Sequence, residues 1–265
     1  MKKYAYYHLY LTDDVGAWSS YLLENYKRME DNKLLDELEK IHLVVIGTPH
    51  NIGLAYNLSR TLSEKYEFSA YENPMGEDRN LLLLDNPQSF PPQVNENVTT
   101  KKIYDHACRE DAYFLYNHSK GITSFERFLK TGQYDAFINY YYWKEYLTWG
   151  VIDEWRNCIE ALSDMDYDVA GTNYLHGPEP HYSGSFWWTK SSHIRNLPDP
   201  IENEWWFALQ KDHPNYHLRH ASVRFKDEMW VCSKQNTKAL NIKDISPYLR
   251  TLYLFEARAI KKFYA

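Results

Sequence analysis

The stretch YNHSKG, residues 116–121, brings an imidazole, an ammonium group and a glycine together in one short turn of chain. His118 and Lys120 could hold a diphosphate, the lysine as a compact charge and the imidazole as a donor, while Gly121 lets backbone come close. The same residues could equally make a polar turn at the end of a strand. A second group, DPIENEWWFALQ at 199–210, sets Asp199, Glu202 and Glu204 around a tryptophan pair. A carboxylate beside apolar rings has a raised pKa and can take the proton of a hydroxyl as general base. The competing reading is an acidic first helical turn, which the helix dipole favours. A third, PHYSGSFWWTKSSHIRNLPDP at 180–200, places Ser183, Gly184 and Ser185 ahead of Trp187 and Trp188. Those rings either wall a sugar pocket or pack in the core.

Two further clusters read as surface. Asp164, Asp166 and Asp168 alternate like a divalent-cation site, but they precede a strand and so point to the opposite edge of a sheet. His213, His217 and His220 approach zinc spacing, yet Pro214 argues against one helix and no cysteine or acidic partner is near in sequence. Neither a GxxxxGK[ST] phosphate loop nor a GxGxxG fingerprint occurs, which argues against NTPases and dinucleotide dehydrogenases.

The bulk numbers narrow the class. A chain of 265 residues can bury a substantial core, and its net charge of −6 argues against a nucleic-acid partner. The 3 cysteines show no CxxC pair, which suits a reducing, cytoplasmic setting. The opening MKKYAYYHLYLTDD turns polar too early for a signal peptide or a transmembrane segment, and the N-x-S/T sequons at Asn57, Asn97 and Asn117 read as chance. The 24 tyrosines and 9 tryptophans suit stacking on hydroxyl-rich ligands, partner interfaces or simply an aromatic core.

The elements that must position these groups alternate. Strands are expected at 4–12, 41–47, 66–72 and 112–118, with a helix from about 15 whose stripe is Trp18, Leu22, Tyr26 and Met29. A second helix follows Asn51, its expected N-cap, and a third covers roughly 98–110. This order predicts a mostly parallel sheet flanked by helices, with ligands beyond the carboxyl ends of the strands. Thr12 to Asp14, Thr48 to His50, Glu72 and Asn73, and Asn117 to Lys120 then form one rim. Residues 134–162 read as helical with a break or bend at Gly150; 167–175 reads as a strand, 184–194 as a strand entering a helical turn, and 202–211 as a helix. Ser246 and Pro247 open a C-terminal docking helix over 246–265, with peripheral membrane contact through Lys261 and Lys262 as the weaker reading. One α/β domain spanning 1–265 is expected.

In this order YYHLYLTDD, YNHSKGIT, DVAGTNYL and PHYSGSFWWTKSSHIRNLP, with an acidic residue before Trp205, resemble nucleotide-sugar glycosyltransferases of the GT-A type found in bacterial polysaccharide loci and large DNA viruses. The resemblance covers about residues 4–210. It implies a single GT-A-like, Rossmann-related domain whose nucleotide-binding half is about 1–121 and whose acceptor half is about 122–245. Tyr10 and Thr12 would lie by the base and ribose, and Asn117, His118 and Lys120 by the diphosphate of a UDP- or GDP-linked donor. His181, Ser183, Gly184 and Trp187 would shape the sugar pocket. Glu204, with Glu202 as second choice, would be the base. Many such enzymes hold a divalent cation, Mn or Mg, with an Asp-x-Asp pair where this chain has NHS, so metal dependence stays open. Rival readings are a non-catalytic carbohydrate-binding protein and a glycoside hydrolase, the latter needing a second carboxylate such as Asp13 or Glu179.

Overall fold

The computed structural model describes residues 1–72, 96–132, 134–176, 180–202, 205 and 223–242. Its first half alternates strand and helix: β1 (Lys2–Tyr10), α1 (Val15–Asp31), the short α2 (Leu34–Glu37), β2 (Lys40–Gly47), α3 (Pro49–Leu62), β3 (Tyr66–Glu72), α4 (Asn97–Ala107) and β4 (Ala112–His118). Then come α5 (Ile122–Thr131), α6 (Tyr134–Thr148), a π turn at Trp149–Asp153, and α7 (Trp155–Ser163). The rest comprises β5 (Val169–Gly171), β6 (Tyr174–Leu175), β7 (His181–Tyr182), β8 (Trp187–Lys190), α8 (Ser191–Ile194), α9 (Val223–Met229), a 3-10 turn at Trp230–Cys232 and β9 (Ala239–Asn241).

Seven strands form one sheet in the order β3-β2-β1-β4-β8-β5-β9, and β6 pairs with β7 in a separate ribbon. β1 runs parallel to β2 and β4, and β2 parallel to β3, as the alternating sequence requires. β8 is antiparallel to both β4 and β5, so its first residues lie at the same sheet edge as the last residues of β4.

Strand alternation sorts the core into two layers. Ala5, Tyr7, Leu9, Leu43, Val45, Leu115 and Trp188 face the side of α1 and α7; Tyr4, Tyr6, Phe114, Tyr116 and Trp187 face the other. The tryptophan pair therefore packs inward on both sides, at 1% and 0% exposure. Trp188 Nε1 donates to the Val151 carbonyl at 2.7 Å, and Trp187 rests on Tyr116 at 5.1 Å and Trp230 at 6.3 Å. Burying 150–250 Å2 of ring at ~25 cal/mol per Å2 gives each roughly 4–6 kcal/mol before ordering costs.

Local chemistry sets the element ends. Asp14 caps α1 by accepting from Ala17 N at 3.0 Å, and Trp18, Leu22 and Met29 of the expected stripe are buried while Tyr26 is half-buried. The cap of α3 is Thr48 and not Asn51: Thr48 accepts from Asn51 N, and Pro49 follows it in the first turn. The Asn51 side chain is buried instead and donates to the Thr12 carbonyl at 2.9 Å, tying α3 to the end of β1. The stretch 167–175 is two strands, because Asn173 between them takes φ 61°. Gly150 does bend the helical region: it lies in the π turn, where a Cβ would overlap the Thr172 side chain. Arg28 of α1 anchors that turn through two 2.7 Å bonds to Asp153.

Cys108, Cys158 and Cys232 are all free thiols. Among the described residues no helix is long and apolar enough to cross a membrane. The expected helix at 202–211, except Trp205, which is helical, and Glu202, the C-terminal helix 246–265, and the histidines at 213, 217 and 220 lie outside the described residues.

Candidate functional site

The carboxyl end of β4 is stitched to the end of β1. Ser119 N donates to the His8 carbonyl at 3.0 Å, and Tyr10 N returns a bond to Ser119 Oγ at 3.0 Å. This fixes the NHSKG turn above the parallel strands, where ligands of open α/β sheets bind.

His118 is buried and both its ring nitrogens are engaged. Nδ1 lies 3.1 Å from Glu96 Oε1, and Nε2 lies 2.7 Å from the Gly184 carbonyl oxygen. Both partners are acceptors, so the ring serves each of them only through an N–H. Burial alone would push the Glu96 carboxyl up, but the charge and hydrogen bond of His118, with His8 and Lys120 behind, hold it well below the usual carboxylate range. Tyr116 adds a bond from its hydroxyl to Glu96 Oε2 at 3.4 Å.

Lys120 is buried too. Its Nζ stands 4.2 Å from the ring centroid of Trp143 on α6 and 3.5 Å from Glu228 Oε1 on α9. Beside Glu228, Asp227 is 4% exposed, and its Oδ2 has no partner among the described residues. Burial, reinforced by Glu96 and Glu228, pushes the Asp227 carboxyl well above its ordinary value. Burying ammonium and carboxylate groups costs several kcal/mol per unpaired ion. They gather at one sheet edge, where the Glu96 carboxyl is held below and the Asp227 carboxyl above the ordinary range, which makes this edge the candidate site.

The loop before β8 closes the other side. Ser183 N donates to the Asn173 carbonyl, and Asn173 Nδ2 donates to the Ser183 carbonyl, both at 3.0 Å. Gly184 has φ 96° and Ser185 φ 56°, two consecutive left-handed residues that aim the Gly184 carbonyl at His118. Phe186 then meets the His118 ring at 5.2 Å.

His118, Lys120 and Gly184 thus come together. Asn117 is buried on the opposite face of β4, as strand alternation demands, with Nδ2 unpartnered among the described residues. Thr12 is buried and bonds to the Asp14 carbonyl at 3.2 Å, while Tyr10 is half-buried. His181 and Ser183 are half-buried, His181 opposite Leu175 in the β6–β7 ribbon. The Trp187 ring is core and presents no stacking face. Glu202 is exposed in a turn after Asp199, itself held by Lys101 at 2.7 Å. Glu204 lies outside the described residues, as does Glu179.

Sequence reasoning passed over Glu96, Trp143, Asp227 and Glu228. The acidic pair in FKDEMW, set beside an aromatic residue, was the one local signal for the last two. Asp166 pairs with Lys238 at the amino end of β5, away from this rim. Among the described residues no group of three or more His, Cys, Asp or Glu side chains could hold a metal ion.

The fold and the site define an α/β protein with a mostly parallel seven-stranded sheet and a buried charged cluster at its carboxyl edge. No protein family and no curated protein matches the chain.

Proposed function

We propose that the protein is a GT-A-like glycosyltransferase, moving a sugar from a nucleoside-diphosphate donor to a hydroxyl of a glycan or glycoconjugate. The observation that carries this reading is the meeting of His118, Lys120 and the 183–186 loop beyond the ends of parallel strands. Lys120, now facing Glu228, would exchange that carboxylate for the diphosphate and stabilise charge as the nucleotide departs. His118 would act through the Gly184 carbonyl, fixing the loop that borders the sugar. A carboxylate would take the acceptor proton as its oxygen attacks the anomeric carbon: Glu204 by sequence, or Glu228 within the described rim.

A divalent cation does not fit the described donor set. Without a donor bound, Glu96 pairs with His118 and Glu228 with Lys120, burial holds the Asp227 carboxyl above its ordinary value, and among the described residues no three donors are grouped for a cation. Charge compensation in this proposal therefore rests on Lys120, and no step is assigned to a metal.

Thermal unfolding with UDP and GDP tests the reading. One of them at a hundredfold excess over its Kd should stabilise the protein by about 2.7 kcal/mol, and Lys120→Ala should weaken that binding at least tenfold. No stabilisation by any nucleoside diphosphate, together with no turnover of any nucleotide-sugar, would sink the transferase reading. Sugar binding without nucleotide would instead favour a lectin-like protein, and hydrolysis of an aryl glycoside a glycosidase.

A further inference from the structure

A narrow crevice lies between α1 and α6 and reaches His118 and Phe186 at the sheet edge. Tyr21 and Asn25, one helical turn apart on α1, both line it. Tyr21 is 5% and Asn25 7% exposed, yet the Tyr21 hydroxyl and Asn25 Oδ1 have no hydrogen-bond partner among the described residues. Polar groups buried in this way cost free energy unless protein or ordered water satisfies them.

The two atoms are complementary. Burial first, then the charges of Glu24 and Glu145, push the Tyr21 hydroxyl up, which keeps it a donor. Asn25 Oδ1 is an acceptor. Thr148 adds a second acceptor to the lining, because its hydroxyl donates to the Lys144 carbonyl at 2.8 Å and keeps its lone pairs. A ligand here therefore accepts one hydrogen bond and donates two. Size and charge narrow it further. The crevice leaves about 10 Å3 for the centre of a water-sized sphere, close to the minimum for one water and too little for an organic group. A metal cation would sit beside Lys144 and Arg28 in the lining, and an anion would face Glu24 and Asn25 Oδ1. The charged side chains already have partners: Lys144 Nζ lies 2.6 Å from Glu24 and 3.3 Å from Glu145, and Arg28 bonds Glu145 at 2.8 Å and Asp153 at 2.7 Å.

We infer that this crevice is a binding site for one ordered water, which accepts from the Tyr21 hydroxyl and donates to Asn25 Oδ1 and Thr148 Oγ1. The water ties α1 to α6, the helix whose Trp143 ring covers Lys120. The inference does not depend on the transferase reading.

A crystal structure of the full chain, refined with its solvent, tests this. It should show one water peak within about 3.2 Å of both the Tyr21 hydroxyl oxygen and Asn25 Oδ1. In a variant carrying Tyr21→Phe and Asn25→Leu that peak should be lost while the Lys144–Glu24 pair stays. Four results would each overturn the assignment: no peak between the two atoms, a direct bond between the Tyr21 and Asn25 side chains, a peak at about 2.4 Å from Asn25 Oδ1 that marks a metal cation, or a water retained in the double variant. The first three need only the wild type, so the inference stays open to refutation even where the variant fails to fold.

Discussion

His118 Nε2 stands 2.7 Å from the carbonyl oxygen of Gly184, 66 residues further along the chain. With Glu96 on the other ring nitrogen, this imidazole joins three segments at the sheet edge. Because the Glu96 carboxyl is held low, its contribution to stability is complete above the ordinary carboxyl value of about 4.3 and is lost as pH falls below it. Glu96→Gln keeps a hydrogen-bonding group and should flatten the stability–pH curve below about pH 4.3. Urea unfolding across that range checks it, and parallel curves would refute the pairing. His118→Ala strands a buried carboxylate and should cost about 3–5 kcal/mol at pH 7.

Asp227 has the opposite sign. A carboxyl raised by burial binds its proton more tightly in the folded chain, so stability falls as pH rises through the ordinary aspartate value of about 3.9. Asp227→Asn removes that loss without changing shape. Its unfolding temperature should exceed that of the wild type at pH 7, on the order of 2–4 °C for ~1 kcal/mol in a chain of this size. The two proteins should converge near about pH 3, below the ordinary aspartate value. A variant less stable at pH 7 would show that the carboxylate form is what the fold requires.

Gly184→Ala should loosen the loop that His118 holds. The backbone there has φ 96°, and a Cβ would stand 2.5 Å from Leu147 Cδ1. Strain of this kind costs about 1–3 kcal/mol. On the proposed transferase reading, nucleotide affinity should change little while transfer falls, because the variant displaces the 183–186 loop and leaves Lys120 in place. Unchanged transfer in a folded variant would separate this loop from function.

The parts of the fold legible in sequence are those with strong periodicity. β1, β2 and β4 are dominated by aromatic and aliphatic residues, and α1 carries a continuous stripe, so their positions and parallel order follow from pattern. The end of YNHSKG could be placed at the rim for the same reason. What could not be read depends on contacts across the chain. Thr48 outcompetes Asn51 as a cap because Thr12 claims the Asn51 side chain. Glu228 meets Lys120 across 108 residues, a separation that leaves no local trace. The Trp187–Trp188 pair suggested a binding wall, yet adjacent strand residues face opposite layers, and both layers here are core.

The reversed direction of β8 has a consequence for how this surface can diversify. The chain leaves the sheet after β5 at the rim and re-enters it there at Trp187, making the β6–β7 excursion between the two. Insertions or deletions in that excursion alter what overhangs the cluster while the paired strands keep their register. Changes in the length of this one hairpin thus reshape the rim with the paired sheet left untouched.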